Sequence, residues 1–148
     1  GPKVVEFNCR FGDPETQVVL PILDGDFLQL LYSAACGILD KNSVKYSGGS
    51  SVCVVVASKG YPDEYKKGFE IKGLDFSEDE IIIYHSGTKE ENGKILTNGG
   101  RVLGVTSAMS TFNLINAQKK AYEAISKINF DGMYYRNDIA EKAFKYLK

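Results

Sequence analysis

The stretch EIIIYHSGTKEENGKILTNGGRVLGVTS, Glu80 to Ser107, decides the fold class. Its first half is apolar and β-branched, and Asn92-Gly93 is the strongest turn dipeptide in the chain. Such a dipeptide between two extended runs predicts a tight hairpin. The return strand is interrupted at Gly99-Gly100, where side chains vanish and the backbone can approach a neighbour closely. Upstream, SVCVVVAS (51–58) reads as a largely buried strand and FEIKGLD (69–75) as another, separated by the polar excursion KGYPDEYKKG, which has room for one helical turn.

Helices are expected on both flanks. ETQVVLPIL (15–23) has helical spacing that Pro21 ends or kinks. Asp26 is placed to cap a helix whose stripe of Phe27, Leu30, Leu31, Ala34, Ala35 and Ile38 should face a core. NSVKYSGGS (42–50) is a loop or short strand. Ser110 or Thr111 is expected to cap a long helix to about Ile128, with Leu114, Ala117, Ala121, Ile125 and Ile128 inward. A turn at Asp131-Gly132 precedes a last helix from about Asn137 to Lys148. Four or five strands in hairpin order, framed by helices, predict an α+β fold with a mainly antiparallel sheet.

Composition narrows the function classes. The chain has 148 residues, and 18 basic against 19 acidic side chains leave a net charge of −1. No basic tract marks a nucleic-acid surface, so no nucleic-acid partner is expected. The apolar runs are too short to span a membrane, and GPKVVEF lacks the pattern of a signal peptide, so the expected location is the cytoplasm. Cys9, Cys36 and Cys53, widely spaced in apolar sequence, read as reduced core residues. His85, the single histidine, reads as hydrogen-bonded and structural, and Ser107, Ser110 and Thr111 as cap and turn residues.

The stretch EFNCRFGDPETQ, Glu6 to Gln17, holds the densest candidate chemistry. With period 2, Val5, Phe7, Cys9 and Phe11 point one way and Glu6, Asn8 and Arg10 the other, so a strand is expected here. That strand has nothing before it to pair with, which reads as a chain cut from the middle of a sheet. Glu6 and Asn8 offer two hard oxygen ligands on one face, half of a magnesium site whose other positions come from phosphates and water. The same pair is what a solvated strand face carries, and spacing alone favours that reading. Lys89 and Arg101, expected to face each other across the hairpin beside glycine-freed N–H groups, suit a phosphate, or else are exposed basic tips.

EFNCRFGDPETQ closely resembles the strand and loop near the end of the ATP-grasp portion of the phosphoribosylamine–glycine ligases (glycinamide ribonucleotide synthetases), a family of purine biosynthesis. SVCVVVASKGYP, HSGTK, TNGGRVLGVTS, AYEAISKI and FDGMYYRNDIA agree in the same order, so the resemblance covers essentially the whole chain. It implies residues 1–25 as the terminal strand and loop of the ATP-grasp domain and 26–148 as the C-terminal α+β domain. The rest of the ATP site and the glycine side then belong to an N-terminal part of the same polypeptide. The implied reaction joins 5-phosphoribosylamine to glycine with ATP as a substrate, through glycyl phosphate, and this piece alone is expected to be inactive.

By the same resemblance, Glu6 and Asn8 match metal-ligand positions for Mg2+ or Mn2+. Arg10, Asp13 and Glu15 match the loop bordering the phosphosugar, with Arg10 the candidate catalytic residue. By looser analogy with other purine-pathway ATP-grasp enzymes, Lys89 and Arg101 would grip the 5′-phosphate. The rival expectation is a stand-alone, non-catalytic phosphosugar-binding or scaffold domain of the same fold.

Overall fold

A computed structural model describes residues 1–5 and 7–147. Past an irregular start, the one-turn helix α1 (Thr16–Val19) runs into a 3-10 turn (Leu20–Ile22) with Pro21 inside it. Strand β1 (Leu23–Gly25), helix α2 (Phe27–Ala35) and strand β2 (Val44–Tyr46) follow, then the long strand β3 (Ser50–Ser58). After a loop come β4 (Ile81–His85), β5 (Thr88–Glu91), β6 (Lys94–Thr97) and the second long strand β7 (Arg101–Met109). Helix α3 (Leu114–Ile125), strand β8 (Met133–Tyr134) and the short helix α4 (Glu141–Phe144) complete the order.

The main sheet runs β4-β7-β3-β8, and its pairs are antiparallel, as expected from the hairpin order. β3 pairs β7 from Ser50↔Met109 to Ala57↔Arg101, with the register shifting between Val56 and Ala57. Alternation along that register puts Val52, Val54 and Val56 on one face with Leu103 and Val105. Helix α3 covers this face with Ala117, Ala121, Ala124 and Ile125, all fully buried. The alanines let helix and sheet approach closely, and each large aliphatic chain withdrawn from water stabilises by about 1.5–3 kcal/mol. On the opposite face α1 packs against β3 and β7. There Gly104 leaves room: a Cβ on it would lie 3.3 Å from Cys53 Sγ and 4.0 Å from Gln17 Cγ. β5 and β6 form a separate hairpin closed by Asn92 (φ 53°) and Gly93 (φ 73°), the left-handed pair such a turn requires.

Several expectations are corrected. Among the described residues the Val5–Phe11 stretch forms no strand. Val5 is 97% and Phe7 86% exposed. An isolated strand has neither ladder nor covered face to hold it, and no strand lies beside this one among the described residues. Helix α2 forms under its Asp26 cap, whose Oδ1 accepts from the Gln29 N–H at 2.8 Å, but its apolar stripe meets no core. Only Ser33 is buried on it, while Leu28, Leu31, Tyr32 and Ile38 stay exposed.

FEIKGLD makes only isolated bridges, at Glu70↔Leu96 and Lys72↔Asn129, and the KGYPDEYKKG excursion holds turns but no helix. Helix α3 begins later than expected: Asn113 caps it, its side chain accepting from the Asn116 N–H at 3.0 Å. The backbone N–H of Asn113 is held by Ser50 Oγ, also at 3.0 Å, which fixes where the helix starts. The last helix is a single turn. Ser107 lies buried inside β7, and Cys9 and Cys36 are exposed, so Cys53 is the buried thiol of the three.

Candidate functional site

Glycine-bearing turns meet where β7 begins. The Ser58 N–H donates to Gly100 O at 2.8 Å and Ser58 Oγ to Gly99 O at 3.0 Å, tying the end of β3 to the turn before β7. The Ser86 and Gly87 N–H groups donate to Val102 O at 3.0 and 3.1 Å, and the Asn98 N–H to Gly87 O at 2.7 Å. This crossing needs hydrogen in place of side chains. A Cβ on Gly87 would sit 2.3 Å from Arg101 O and 2.7 Å from the Gly99 Cα, and one on Gly100 only 2.0 Å from the Tyr61 ring.

The GDPE turn docks on this junction through Arg101. Its Nη1 donates to the Asp13 backbone oxygen at 3.0 Å and lies 3.1 Å from Asp13 Oδ2, across 88 residues of sequence. The other carboxylate oxygen of Asp13 accepts from Gln17 Nε2 at 2.8 Å. Thr16 Oγ1 donates to Gly12 O, closing the turn onto α1. Between turn and sheet lies an open cleft of about 610 Å³, lined by Arg10, Asp13, Gln17, Tyr84, His85 and Ser86 among others.

The expected site residues divide. Asp13 and Arg10 line this cleft and Arg101 reaches it only by its contact with Asp13, with Arg10 exposed and its Nη1 donating to Phe11 O at 2.7 Å. Glu15 is exposed and lines a smaller apolar groove on the other side of Pro14. Lys89 does not face Arg101: it pairs with Leu96 inside the β5–β6 hairpin, whereas Arg101 pairs with Ala57 in the main sheet. The Lys89 ammonium lies 2.5 Å from Glu91 Oε2, and that hydrogen bond holds the Glu91 carboxyl below its usual range. Glu6 lies outside the described residues, and Asn8 is exposed. Among the described residues no group of three or more His, Cys, Asp and Glu could hold a metal ion. The oxygen donors at hand therefore fit magnesium only as a partial set, the remaining positions falling to phosphate and water.

His85 makes the expected hydrogen bond, Nδ1 to Thr88 Oγ1 at 3.0 Å, and also borders the cleft. Burial raises the Tyr84 phenol above its ordinary value, so it faces the cleft side protonated at neutral pH. Gln17 and Tyr84 escaped the sequence reading. Gln17 sits in an ordinary helical pattern, and its only signal was closeness to the GDPE turn. No helix among the described residues is long and apolar enough to cross a membrane.

Comparison with known proteins adds a family. Residues 51–142 match the family model described as phosphoribosylglycinamide synthetase, C domain. The chain is 50% identical to a phosphoribosylamine–glycine ligase of Caldanaerobacter subterraneus, over 95% of this chain and 33% of that protein. It is 44% identical to the trifunctional purine biosynthetic protein adenosine-3 of Homo sapiens, over 100% of this chain and 15% of the relative. Among solved structures it superposes on the phosphoribosylamine–glycine ligase of Thermotoga maritima with a TM-score of 0.76 at 37% identity, covering 93% of this chain and 33% of that one. The chain thus spans about a third of the length of the single-function ligases it matches.

Proposed function

The chain belongs to the family of the phosphoribosylglycinamide synthetase C domain, and from that premise we propose that it is part of an ATP-dependent ligase joining 5-phosphoribosylamine to glycine. In this reaction ATP phosphorylates the glycine carboxylate, giving glycyl phosphate and ADP. The amine of phosphoribosylamine then attacks the acyl carbon, and phosphate leaves as the amide of glycinamide ribonucleotide forms. Nothing in that sequence needs a protein nucleophile, so catalysis rests on positioning and on charge stabilisation.

Within this reading Arg101 grips the 5′-phosphate. Arg101 contacts Asp13 through Nη1, and among the described residues its Nη2 and Nε make no hydrogen bond or ion pair, which suits a planar, two-point grip. Lys89 adds a point charge once it leaves Glu91. Asp13 and Glu15 border the sugar, and Arg10 lies at the reacting end. Glu6 and Asn8 would hold Mg2+ or Mn2+, which supplies charge neutralisation for the transferring phosphoryl group. Residues 1–25 belong with the ATP-grasp portion of the polypeptide, and 26–148 form the C-terminal domain. The exposure of Val5 and Phe7 supports that division, because the period-2 pattern around them asks for a sheet and a cover that the N-terminal part would provide. The reaction would take place in the cytoplasm.

The observation that carries the reading is the Arg101–Asp13 contact, which joins the two stretches assigned to the phosphosugar into one site. Calorimetric titration of the 148-residue chain with glycinamide ribonucleotide tests it. Weak, salt-sensitive binding is expected, reduced about tenfold or more by Arg101→Ala and less by Lys89→Ala. Equal affinity for wild type and Arg101→Ala would overturn the phosphate assignment.

A further inference from the structure

We infer that Gln17 is a positioning residue for phosphate binding: it fixes the Asp13 carboxylate, which in turn sets the plane of the Arg101 guanidinium toward a sugar phosphomonoester. The inference rests on the ligase reading for the identity of the ligand, but not for the linkage itself.

The geometry is a relay of three side chains. Gln17 Nε2 donates to Asp13 Oδ1 at 2.8 Å, and Asp13 Oδ2 lies 3.1 Å from Arg101 Nη1. The same Nη1 also donates to the Asp13 backbone oxygen at 3.0 Å, so one nitrogen carries both contacts with Asp13. A guanidinium has five donor hydrogens in a rigid fork, and holding one corner fixes where the other two nitrogens point. Arg101 is partly exposed, with 38% of its side-chain surface accessible, so the side chain is within reach of a ligand.

Chemistry settles the orientation of the Gln17 amide. Turned the other way, its oxygen would face the Asp13 carboxylate. As oriented, Gln17 Oε1 is buried and has no hydrogen-bond partner among the described residues. A buried acceptor left unsatisfied is an unfavourable arrangement, and here it accompanies a donor aimed at Asp13. On this face of the sheet Gln17 lies beside Gly104 in the middle of β7, where a Cβ would be 4.0 Å from Gln17 Cγ, an ordinary contact. Gln17 touches neither Arg10 nor Arg101 through any hydrogen bond among the described residues, so its hold on Arg101 runs through Asp13.

A thermodynamic cycle tests the relay, with ribose 5-phosphate as probe and four forms of the chain: wild type, Gln17→Leu, Asp13→Ala and the double variant. Gln17→Leu is expected to weaken binding roughly tenfold while leaving the salt dependence unchanged, because no charge is lost. In the Asp13→Ala background the same substitution should have no further effect. Additive losses in the double variant would overturn the inference, since they would mean that Gln17 acts through packing alone. A ligand-free readout keeps the two readings apart: the ¹⁵N signals of the Arg101 guanidinium. Restricted rotation at Nη1 is expected in wild type and lost in Gln17→Leu. If wild type binds no phosphate ester yet shows that loss, the ligase reading of the cleft fails and the relay stands. Unchanged Arg101 signals in Gln17→Leu would overturn the relay whatever the ligand.

Discussion

At residue scale the junction before β7 is governed by what is missing. Gly100 is buried, and its φ lies outside the left-handed region, so its role is steric: the Tyr61 ring occupies the space a Cβ would fill. Gly100→Ala should therefore destabilise by about 1–3 kcal/mol, as overpacking does. In a Tyr61→Ala background the added methyl should be nearly harmless, and urea unfolding midpoints of the four forms check this. Gly87→Ala offers no such relief, because its Cβ would meet backbone at Arg101 O and at the Gly99 Cα, which cannot swing away. The pair Gly99-Gly100 was legible in the sequence as a place of close approach, whereas Gly87 was not. The partner of Gly100 was not legible either, because Tyr61 and Gly100 are 39 positions apart and only the sheet brings them together.

At the scale of elements, local chemistry and tertiary contact compete for the start of α3. Ser110, Thr111 and Asn113 are all capable caps, and propensity alone does not choose among them. The choice falls to Asn113 because Ser50 Oγ, on the first residue of β3, binds its N–H and pins the chain there. Asn113→Ala should cost about 1 kcal/mol, whereas Ser110→Ala and Thr111→Ala should stay within about 0.5 kcal/mol. Thermal unfolding of the three variants decides it, and a larger loss at Ser110 than at Asn113 would be incompatible with this cap. Helix α2 shows the opposite balance. Its Asp26 cap and the Ser33 hydrogen bonds to Leu30 O (2.8 Å) and from the Asp40 N–H (2.9 Å) are local, and they form although the apolar stripe has no cover.

At the scale of the whole molecule, the sheet buries two groups that ionise in alkali. Burial raises the Cys53 thiol above its ordinary 9.0 and the Tyr84 phenol above its ordinary 10.0. Between each ordinary value and its raised folded value the folded chain holds more protons than the unfolded one, so stability falls as pH rises there. The contribution is complete below about pH 9 and declines above it. Urea midpoints measured from pH 8 to 10.5 should fall more steeply for wild type than for a Cys53→Ala, Tyr84→Phe double variant. Parallel slopes would count against these two groups as the source.

What the sequence determined by itself is whatever depends on near neighbours. The Asn92-Gly93 turn, the largely buried run of β3, the Asp26 cap and the alanine-lined face of α3 are written at spacings of a few residues, where side-chain period and backbone preference act directly. The α+β class follows from them. What only the tertiary structure decided is pairing over distance. It put Arg101 on Asp13 rather than opposite Lys89, brought Gln17 to the cleft, and left Val5 and Phe7 exposed despite a strand pattern. A strand pattern states which face wants covering, but hydrogen-bond ladders and burial exist only when a second element arrives to supply them.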